Sequence, residues 1–329
     1  MIFGPTDTAS RLRSALPSLT AESAESEAAF VERSGIRVLT RGAGSMPPRL
    51  DGVPDAPKAL FMLGECDLAA PHAIAIVGTR RATAAGVEFC RRFVSRMAEL
   101  CPGTLIVSGL AYGIDVAAHR AALEAGLPTA AVMAHGLDTV YPADHRDMAR
   151  RIVESGTGAL VTEYLSGTRA HRGNFLARNR IVAALGAAVV VVESAHHGGA
   201  LYTAGLAAQY GRSVFAVPGR WCDKASEGCN NLIAAGQAQL LTSAEQFVEL
   251  MHWETAAEAP AGAPALDFTA LTGTSRLIAD HLRVHPNHSV SDIVASLGLP
   301  ASEVSARLME MEMNDLLTML PGGRFQLNF

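Results

Sequence analysis

The pattern that most constrains the fold is a series of six short apolar runs between residues 73 and 219. They read AIAIVG, TLIVSG, TAAVMA, ALVTEY, AAVVVVE and SVFAVPG, and helix-compatible sequence separates them. Strands that alternate with helices form a parallel sheet with helices on both faces. The sequence therefore predicts an α/β fold built on such a sheet.

Right-handed crossovers place the carboxyl ends of all these strands on one rim of the sheet. The loops that follow the strands are therefore expected to be neighbours in space, although they lie tens of residues apart in the chain. Ligands of open α/β sheets bind in crevices at this rim. The residues that directly follow the six runs, or end them, are Gly78, Gly109, Ala134, Tyr164, Glu193 and Gly219.

Three of the strand-end loops have features of anion sites. The first contains Gly78, Thr79 and Arg80, where glycine permits a close backbone approach and arginines stand near a helix start. The second contains Ser108 and Gly109, with a hydroxyl suited to a phosphate oxygen. The third places Gly199 directly before a helix. A plain strand-to-helix turn with solvated arginines is the alternative for the first loop.

The densest group of cations lies between residues 169 and 180, just before the most apolar run. It contains Arg169, Arg172, Arg178 and Arg180, with Phe175 and Asn179 between them. An aromatic ring among arginines suits a single strand of nucleic acid, because a base stacks on the ring while the cations hold phosphates. Two of these arginines could instead pair with Glu163 and Glu193.

Several catalytic classes lack their motifs. Arg80 occupies the second glycine position of a dinucleotide fingerprint, and no GK[ST] follows a glycine loop. No nucleophile has a base at recognisable spacing, and Asp115 with His119 is interpreted as structural. The five cysteines form no CxxC pair, and His196 with His197 lacks a third ligand. We therefore predict no enzyme activity, cofactor or metal.

The formal charge of −5 is unevenly distributed. Residues 70–230 carry 16 Lys+Arg and 12 Asp+Glu, which is a net +4, whereas the rest of the chain has a net −9. No run approaches the ~18 to 20 apolar residues of a membrane span. The first residues lack the pattern of a secretory signal. These features predict a cytoplasmic protein with a basic central region.

The predicted organisation has four parts. Residues 1–45 form a short N-terminal helical arm with one helix at 21–33 and no strong apolar face, and residues 46–253 form the main domain, entered through a short edge strand near 60–63. Residues 254–274 are an Ala, Pro and Gly linker. Residues 275–329 predict three helices and a hairpin around Gly322 and Gly323, which is the outline of a winged helix.

The motifs together resemble the DprA/Smf family from about residue 38 to 241. They are VGTRRAT at 77–83, VSGLAYGIDVAAH at 107–119, GLDTVYP at 136–142, TEY at 162–164, FLARNRIVAAL at 175–185, VVVES at 190–194 and VFAVPG at 214–219. The resemblance implies an extended Rossmann-like domain that dimerises and binds single-stranded DNA. It further implies protection of incoming strands in natural transformation, loading of RecA recombinase and displacement of SSB.

The resemblance also implies a set of strand-binding residues and leaves two departures. The implied residues are Gly78, Thr79, Arg80, Ser108, Gly109, Arg172, Phe175, Arg178, Asn179 and Arg180, with Gly199 in the last loop. His197, Gly198 and Gly199 stand where the family usually has SGS. The third C-terminal helix offers Arg307 against Glu303, Glu310, Glu312 and Asp315, so we expect this domain to serve protein contacts or dimer geometry rather than duplex binding.

Two other classes of function stay open at this point. A phosphoribohydrolase on a related fold is the first, but the chain lacks a PGGxGT loop. An NAD-dependent oxidoreductase is the second, but Ser108 and Gly109 stand where that class has an acidic residue. The motifs favour a single-stranded DNA-binding protein over both.

Overall fold

The computed structural model describes residues 5–41, 45–256, 271, 273–284, 288–314, 316–320 and 324–327. The chain divides into two compact units, Met1–Ala256 and Ala257–Phe329. The predicted linker, 254–274, lies for the most part outside the described residues. Each unit has a hydrophobic core of its own.

The first unit is built on one nine-stranded sheet in the order β1-β2-β6-β5-β4-β3-β7-β8-β9. Strands β3 to β9 are parallel, and β1 and β2 are antiparallel to their neighbours. The strands are β1 (Arg37–Thr40), β2 (Ala59–Gly64), β3 (Ala73–Val77), β4 (Leu105–Ser108), β5 (Thr129–Val132), β6 (Gly158–Thr162), β7 (Ala188–Val191), β8 (Ser213–Ala216) and β9 (Gln239–Leu240). The six apolar runs are β3 to β8, so the predicted parallel sheet is confirmed.

Helices cover both faces of this sheet, as the fully apolar strands require. Side chains of β3 alternate between two cores: Ile74 and Ile76 pack in the cluster of Phe93, and Ala75 and Val77 pack in the cluster of Leu185. The helices are α1 (Pro5–Ala15), α2 (Ala21–Arg33), α3 (Pro48–Asp51), α4 (Ala84–Leu100), α5 (Ile114–Glu124), α6 (Arg146–Glu154), α7 (Arg172–Leu185), α8 (Gly199–Gln209), α9 (Glu227–Ala234) and α10 (Ala244–Met251).

The N-terminal region is more closely integrated than the sequence suggested. Helix α2 spans the predicted residues, and the Thr20 side chain caps its first turn. However, α1 and α2 bury Leu12, Ala28 and Val31 in one cluster with Phe61 of β2, so the expected lack of an apolar face is wrong. Strand β2 lies between β1 and β6 and is not at an edge of the sheet. The sheet therefore begins at β1, within the range assigned to the arm.

The second unit contains three helices and a three-stranded sheet in the order β10-β12-β11. Its elements are α11 (Gly273–Val284), β10 (His288–Ser289), α12 (Val290–Leu297), α13 (Ala301–Met313), β11 (Leu317–Leu320) and β12 (Arg324–Leu327). Leu282, Ile293 and Leu308 are buried in its core. This confirms the winged-helix prediction, while the hairpin turn at Gly322 and Gly323 and the helix position Asp315 lie outside the described residues.

Candidate nucleic-acid interface

The carboxyl ends of β3, β4 and β7 open into a pocket of about 700 Å³. Its lining comes mainly from residues 77–80, 170–179 and 194–203, with Ala111, Asp115 and Tyr141. These segments are more than one hundred residues apart at the extremes. They meet because parallel strands bring their carboxyl ends to one rim, as the alternating pattern predicted.

An aromatic and cationic edge forms one side of the pocket. The Arg80 guanidinium lies over the Phe175 ring, with Cζ 5.0 Å from the ring centroid. The Tyr141 ring lies on Phe175 at a centroid distance of 5.7 Å and an interplanar angle of 50°. Tyr141 is 50% exposed. The side chains of Arg80, Phe175 and Tyr141 therefore offer one cation and two ring surfaces to a ligand.

The β3 loop is held in place by its own backbone. The Thr79 N–H donates to the carbonyl of Glu193 at 2.7 Å, and the Thr79 carbonyl accepts from the Ile114 N–H at 3.2 Å. A Cβ on Gly78 would lie 2.5 Å from the side chain of Ile114. Glycine at position 78 therefore lets β3, β7 and α5 meet, and the Thr79 N–H is not free for a phosphate.

Glu193, at the end of β7, contacts a helix N-terminus and not an arginine. Its carboxylate accepts the Thr83 N–H at 2.9 Å and the Thr83 hydroxyl at 2.5 Å. Thr83 is the N-cap of α4. A carboxylate is favourable there because helix N-termini carry partial positive charge. The alternative in which Glu193 pairs with an arginine between residues 169 and 180 is therefore wrong.

Arg178 lines the floor of the pocket but is only 4% exposed. Its guanidinium donates to the carbonyl of Val132 and fills the space that a Cβ on Gly109 would need. Burial lowers the pKa of Arg178, and the nearby Asp115 carboxylate raises it. Nη1 of Arg178 is therefore engaged with the fold, and the binding of a phosphate by Arg178 stays a prediction. Arg178 contributes a buried positive charge at the floor of the site.

Ser108 and His119 are buried beneath the pocket, and Asp115, which lines it, is also buried. The Ser108 hydroxyl donates to the carbonyl of Ile76 at 2.6 Å, so its predicted donation to a phosphate is wrong. Burial raises the pKa of Asp115, whereas Arg178 lowers it. Burial, followed by Arg178 and His145, lowers the pKa of His119 to about 3. Asp115 and His119 thus belong to the packed interior, as the sequence interpretation held.

Arg180 does not line the pocket. It makes two hydrogen bonds to the Glu163 carboxylate, at 2.7 and 2.6 Å, and its side chain is 18% exposed. Asp55 lies 3.8 Å from its Nε. The alternative in which an arginine of this cluster pairs with Glu163 is confirmed. Arg180 therefore holds α7 against Glu163, which directly follows β6, and is not a free cation at the rim.

The remaining predicted residues reach the pocket. Arg172, Phe175, Asn179 and Gly199 line it. A Cβ at Gly199 would meet no atom within 4 Å, whereas one at Gly198 would lie 2.1 Å from the Ser194 hydroxyl. The glycine that the α8 turn needs is therefore Gly198.

Four exposed arginines surround this pocket or lie in its flanking loops, and none of them forms an ion pair among the described residues. They are Arg80, Arg81, Arg169 and Arg172. Sequence reasoning did not assign the pocket-lining side chains Tyr141, His171, Ser194 and His197. Tyr141 lies in the segment that follows β5. The expectation that loops after the strands form the site could therefore have identified it.

Comparison with protein families agrees with this architecture. The family model described as DNA recombination-mediator protein A matches residues 37–252, and the DprA winged helix domain matches residues 257–323. The chain belongs to the DprA/Smf family. The first match begins at β1, which agrees with the position of that strand in the nine-stranded DprA/Smf sheet.

Individual DprA relatives show the same extent of similarity. A Mycobacterium tuberculosis DNA processing protein DprA is 40% identical over 265 residues, which cover 79% of this chain and 66% of the relative. The crystal structure of DprA from Streptococcus pneumoniae has a TM-score of 0.61 and 31% identity and covers 75% of this chain and 87% of its own. Helicobacter pylori DprA is described for its single-stranded DNA binding mode. Its structure has a TM-score of 0.57 and 30% identity, and the match covers 66% of this chain and 95% of the H. pylori chain.

No group of three or more His, Cys, Asp or Glu side chains in the described part of the chain is placed to hold a metal ion. Among the helices that the structure describes, none is both long and apolar enough to cross a bilayer.

Proposed function

We propose that this DprA/Smf-family protein binds single-stranded DNA in the pocket at the carboxyl ends of β3, β4 and β7. The observation that supports this most strongly is the stacked set of Arg80, Phe175 and Tyr141 at the edge of a pocket surrounded by exposed arginines. Bases stack on the rings, and the arginines neutralise the adjacent phosphates.

The concave shape favours a single strand over a duplex. Phe175 is half-buried inside the pocket, so a base must turn outward to reach its ring. A base paired within a duplex has its faces covered by neighbouring base pairs, and exposing it costs a few kcal/mol. A single strand pays far less of this cost. The H. pylori relative, whose description names a single-stranded DNA binding mode, supports the same choice.

The biological role that we propose follows the family. The protein protects incoming single strands, displaces SSB from them and loads RecA recombinase during natural transformation. The description of the matching family as a recombination mediator supports this role. We place the protein in the cytoplasm as a homodimer. The C-terminal domain serves protein contacts or dimer geometry, since Arg307 of α13 is paired with Glu310.

The proposed role is binding without catalysis. Three buried polar side chains at or beneath the pocket make hydrogen bonds within the fold: Ser108 to Ile76, His119 to Thr129, and Arg178 to Val132. His119 is fully buried and cannot exchange a proton with a ligand. A phosphoribohydrolase would release free base from nucleoside monophosphates. We expect no base release when the purified protein is incubated with all four nucleotides.

The test is a gel shift of the full chain with oligo-dT and with a duplex of equal length across a series of salt concentrations. We expect tighter binding of the single strand and a log–log salt slope of about −0.7 per neutralised phosphate. Arg80→Ala should weaken binding and reduce the slope by about 0.7, because one phosphate contact is lost. Arg91→Ala is the matched control, since Arg91 is exposed on α4 and paired with Glu88. Equal affinity for the duplex would contradict the proposal.

A further inference from the structure

The loop at residues 217–226, between β8 and α9, carries an aromatic side chain that is not packed in the core of the protein. Trp221 is 93% exposed, the highest value among the large apolar side chains that the structure describes. Exposed tryptophan is uncommon on soluble proteins, because its large ring is normally buried with its N–H near water or a partner. The position of Trp221 therefore needs an explanation outside the packing of the monomer.

The loop stands beside the pocket described above. Strand β8 pairs in parallel with β7, with Ala216 opposite Val191, so both strands end on the same rim. The Gly228 N–H, at the start of α9, donates to the carbonyl of Ser194 at 2.8 Å. Ser194 lines the pocket. The first turn of α9, which directly follows the loop, thus contacts the pocket wall.

The frame of the loop is fixed by hydrogen bonds. The Asn230 side chain accepts from the Gly219 N–H and donates to the Gly219 carbonyl, both at 3.1 Å. Two successive turns follow, with the Asp223 N–H bonded to the Arg220 carbonyl and the Ser226 N–H bonded to the Asp223 carbonyl, both at 3.0 Å. The Trp221 indole therefore projects from a loop whose backbone is held by these hydrogen bonds.

Cations flank this ring. Arg220 and Lys224 are exposed and form no ion pair among the described residues. Asp223 is the one acidic residue between 217 and 226. A docking surface for protein would be expected to present a contiguous apolar patch, whereas Trp221 has polar and charged neighbours in the loop. A single ring among cations is instead the arrangement that binds a base and its phosphates.

We propose that Trp221 is a second stacking platform for the same single strand, with Arg220 and Lys224 beside its phosphates. This inference rests on the proposed function of the pocket. Strands β3 and β8 are two positions apart in the sheet, a span of about 10 Å at ~4.8 Å per strand. A stacked strand rises ~3.4 Å per nucleotide along its axis, so that span corresponds to about three nucleotides. A strand that leaves the pocket past β7 would run toward the end of β8, where the loop with Trp221 begins.

Tryptophan fluorescence tests this directly, because the chain has two tryptophans. Trp253 is stacked on His72 at 4.2 Å and contacts Phe247, so Trp253→Phe leaves Trp221 as the reporter. We expect oligo-dT of about 16 nucleotides to quench this emission and oligo-dT of about 2 nucleotides, which is too short to reach from the pocket to the loop, to leave it nearly unchanged. Trp221→Phe should restore most of the binding that Trp221→Ala loses.

Affinity measurements separate this inference from the function of the pocket. Trp221→Ala should weaken the long oligonucleotide about five- to tenfold and leave the short one unchanged, whereas Arg80→Ala should weaken both. If Trp221→Ala changes neither affinity while Arg80→Ala changes both, the second platform is wrong and the pocket stands. If the wild-type protein binds neither oligonucleotide, both proposals fail. If Trp221→Ala changes the mass by light scattering, the loop is an interface between copies and the inference is overturned.

Discussion

The β3 loop and helix α7 both bring arginines to the same rim, but the two regions use them differently. Arg80 and Arg81 of the β3 loop are exposed and have no ion pair among the described residues. Arg178 and Arg180 of α7 are bound to Val132 and Glu163. A sequence counts cations, whereas binding depends on the cations that remain accessible after folding. The segment with the most arginines therefore supplies fewer free ones than its composition suggests.

The difference has a cause in helical geometry. Residues three or four apart share one face of a helix, and Asn174, Arg178, Ile181 and Leu185 are all buried on the face of α7 that meets the sheet. Arg178 thus stands at a core position of an amphipathic helix. The β3 loop has no packed face of this kind, so its arginines project toward solvent.

The variant with the largest expected effect in this comparison is Arg178→Met, which keeps most of the side-chain volume and removes the charge. We expect the free energy of unfolding to fall by about 3 to 5 kcal/mol, because Asp115 loses a nearby opposite charge and the buried Val132 carbonyl loses its donor. Chemical denaturation measures this. Arg80→Met is the matched control and should stay within about 0.5 kcal/mol of wild type. Equal effects of the two variants would remove the distinction between the regions.

The Arg180–Glu163 pair should give the next largest effect. Both side chains are largely buried, at 18% and 17% exposed, and their two hydrogen bonds are charge-assisted. A double-mutant cycle with Arg180→Met and Glu163→Gln should give a coupling of about 1.5 to 3 kcal/mol. The exposed Arg91–Glu88 pair of α4 is the reference cycle and should give a much smaller coupling, because solvent screens it. A coupling near zero for Arg180 would mean that it is available to a ligand.

On the exposed side of the comparison, Phe175→Ala should weaken single-strand binding by about 1 to 3 kcal/mol, the contribution of one stacked base. Tyr141→Ala should have a smaller effect, because Tyr141 borders the ring instead of filling the pocket. Leu250→Ala, an exposed apolar change on α10, is the control. Fluorescence anisotropy with labelled oligo-dT gives the affinities. Unchanged binding by the Phe175 variant would move the stacking site away from this pocket.

The buried side should also be sensitive to acid. The pKa of His119 is about 3 in the folded protein, against an ordinary 6.5, so between these values the unfolded chain binds a proton that the fold excludes. The stability due to neutral His119 is complete above pH 6.5 and is lost as pH falls toward 3, by up to ~1.4 kcal/mol per pH unit.

Asp115 acts in the opposite direction below its own raised pKa, since the folded protein then holds the extra proton. The contribution of His119 is therefore the difference between wild type and His119→Asn. We expect the variant to have a flatter stability profile from pH 6 down to pH 4, measured by denaturation at each pH. Parallel profiles would show that His119 is protonated in the fold.

Much of the fold followed from the sequence, because strand and helix periodicities are properties of the chain itself. The apolar runs at 73–219 predicted the six strands β3 to β8, and the C-terminal pattern predicted three helices and a hairpin. The packing of α1 and α2 did not follow, because their small alanine faces become a core only when Phe61 of β2 covers them. Tyr141 was missed because its ring contacts Phe175 from another loop.

By itself, the sequence determined that loops after β3, β4 and β7 share one rim, and that arginines and Phe175 stand close to it. Only the tertiary structure decided which of those groups are accessible. Arg178 is withdrawn by a hydrogen bond to Val132, 46 residues away, and Ser108 by one to Ile76, 32 residues away. Partners so distant in sequence leave no periodic trace in either segment. The desolvation of a polar group depends on all the neighbours that folding brings to it, and for that reason the accessible charge of this site could be determined only in three dimensions.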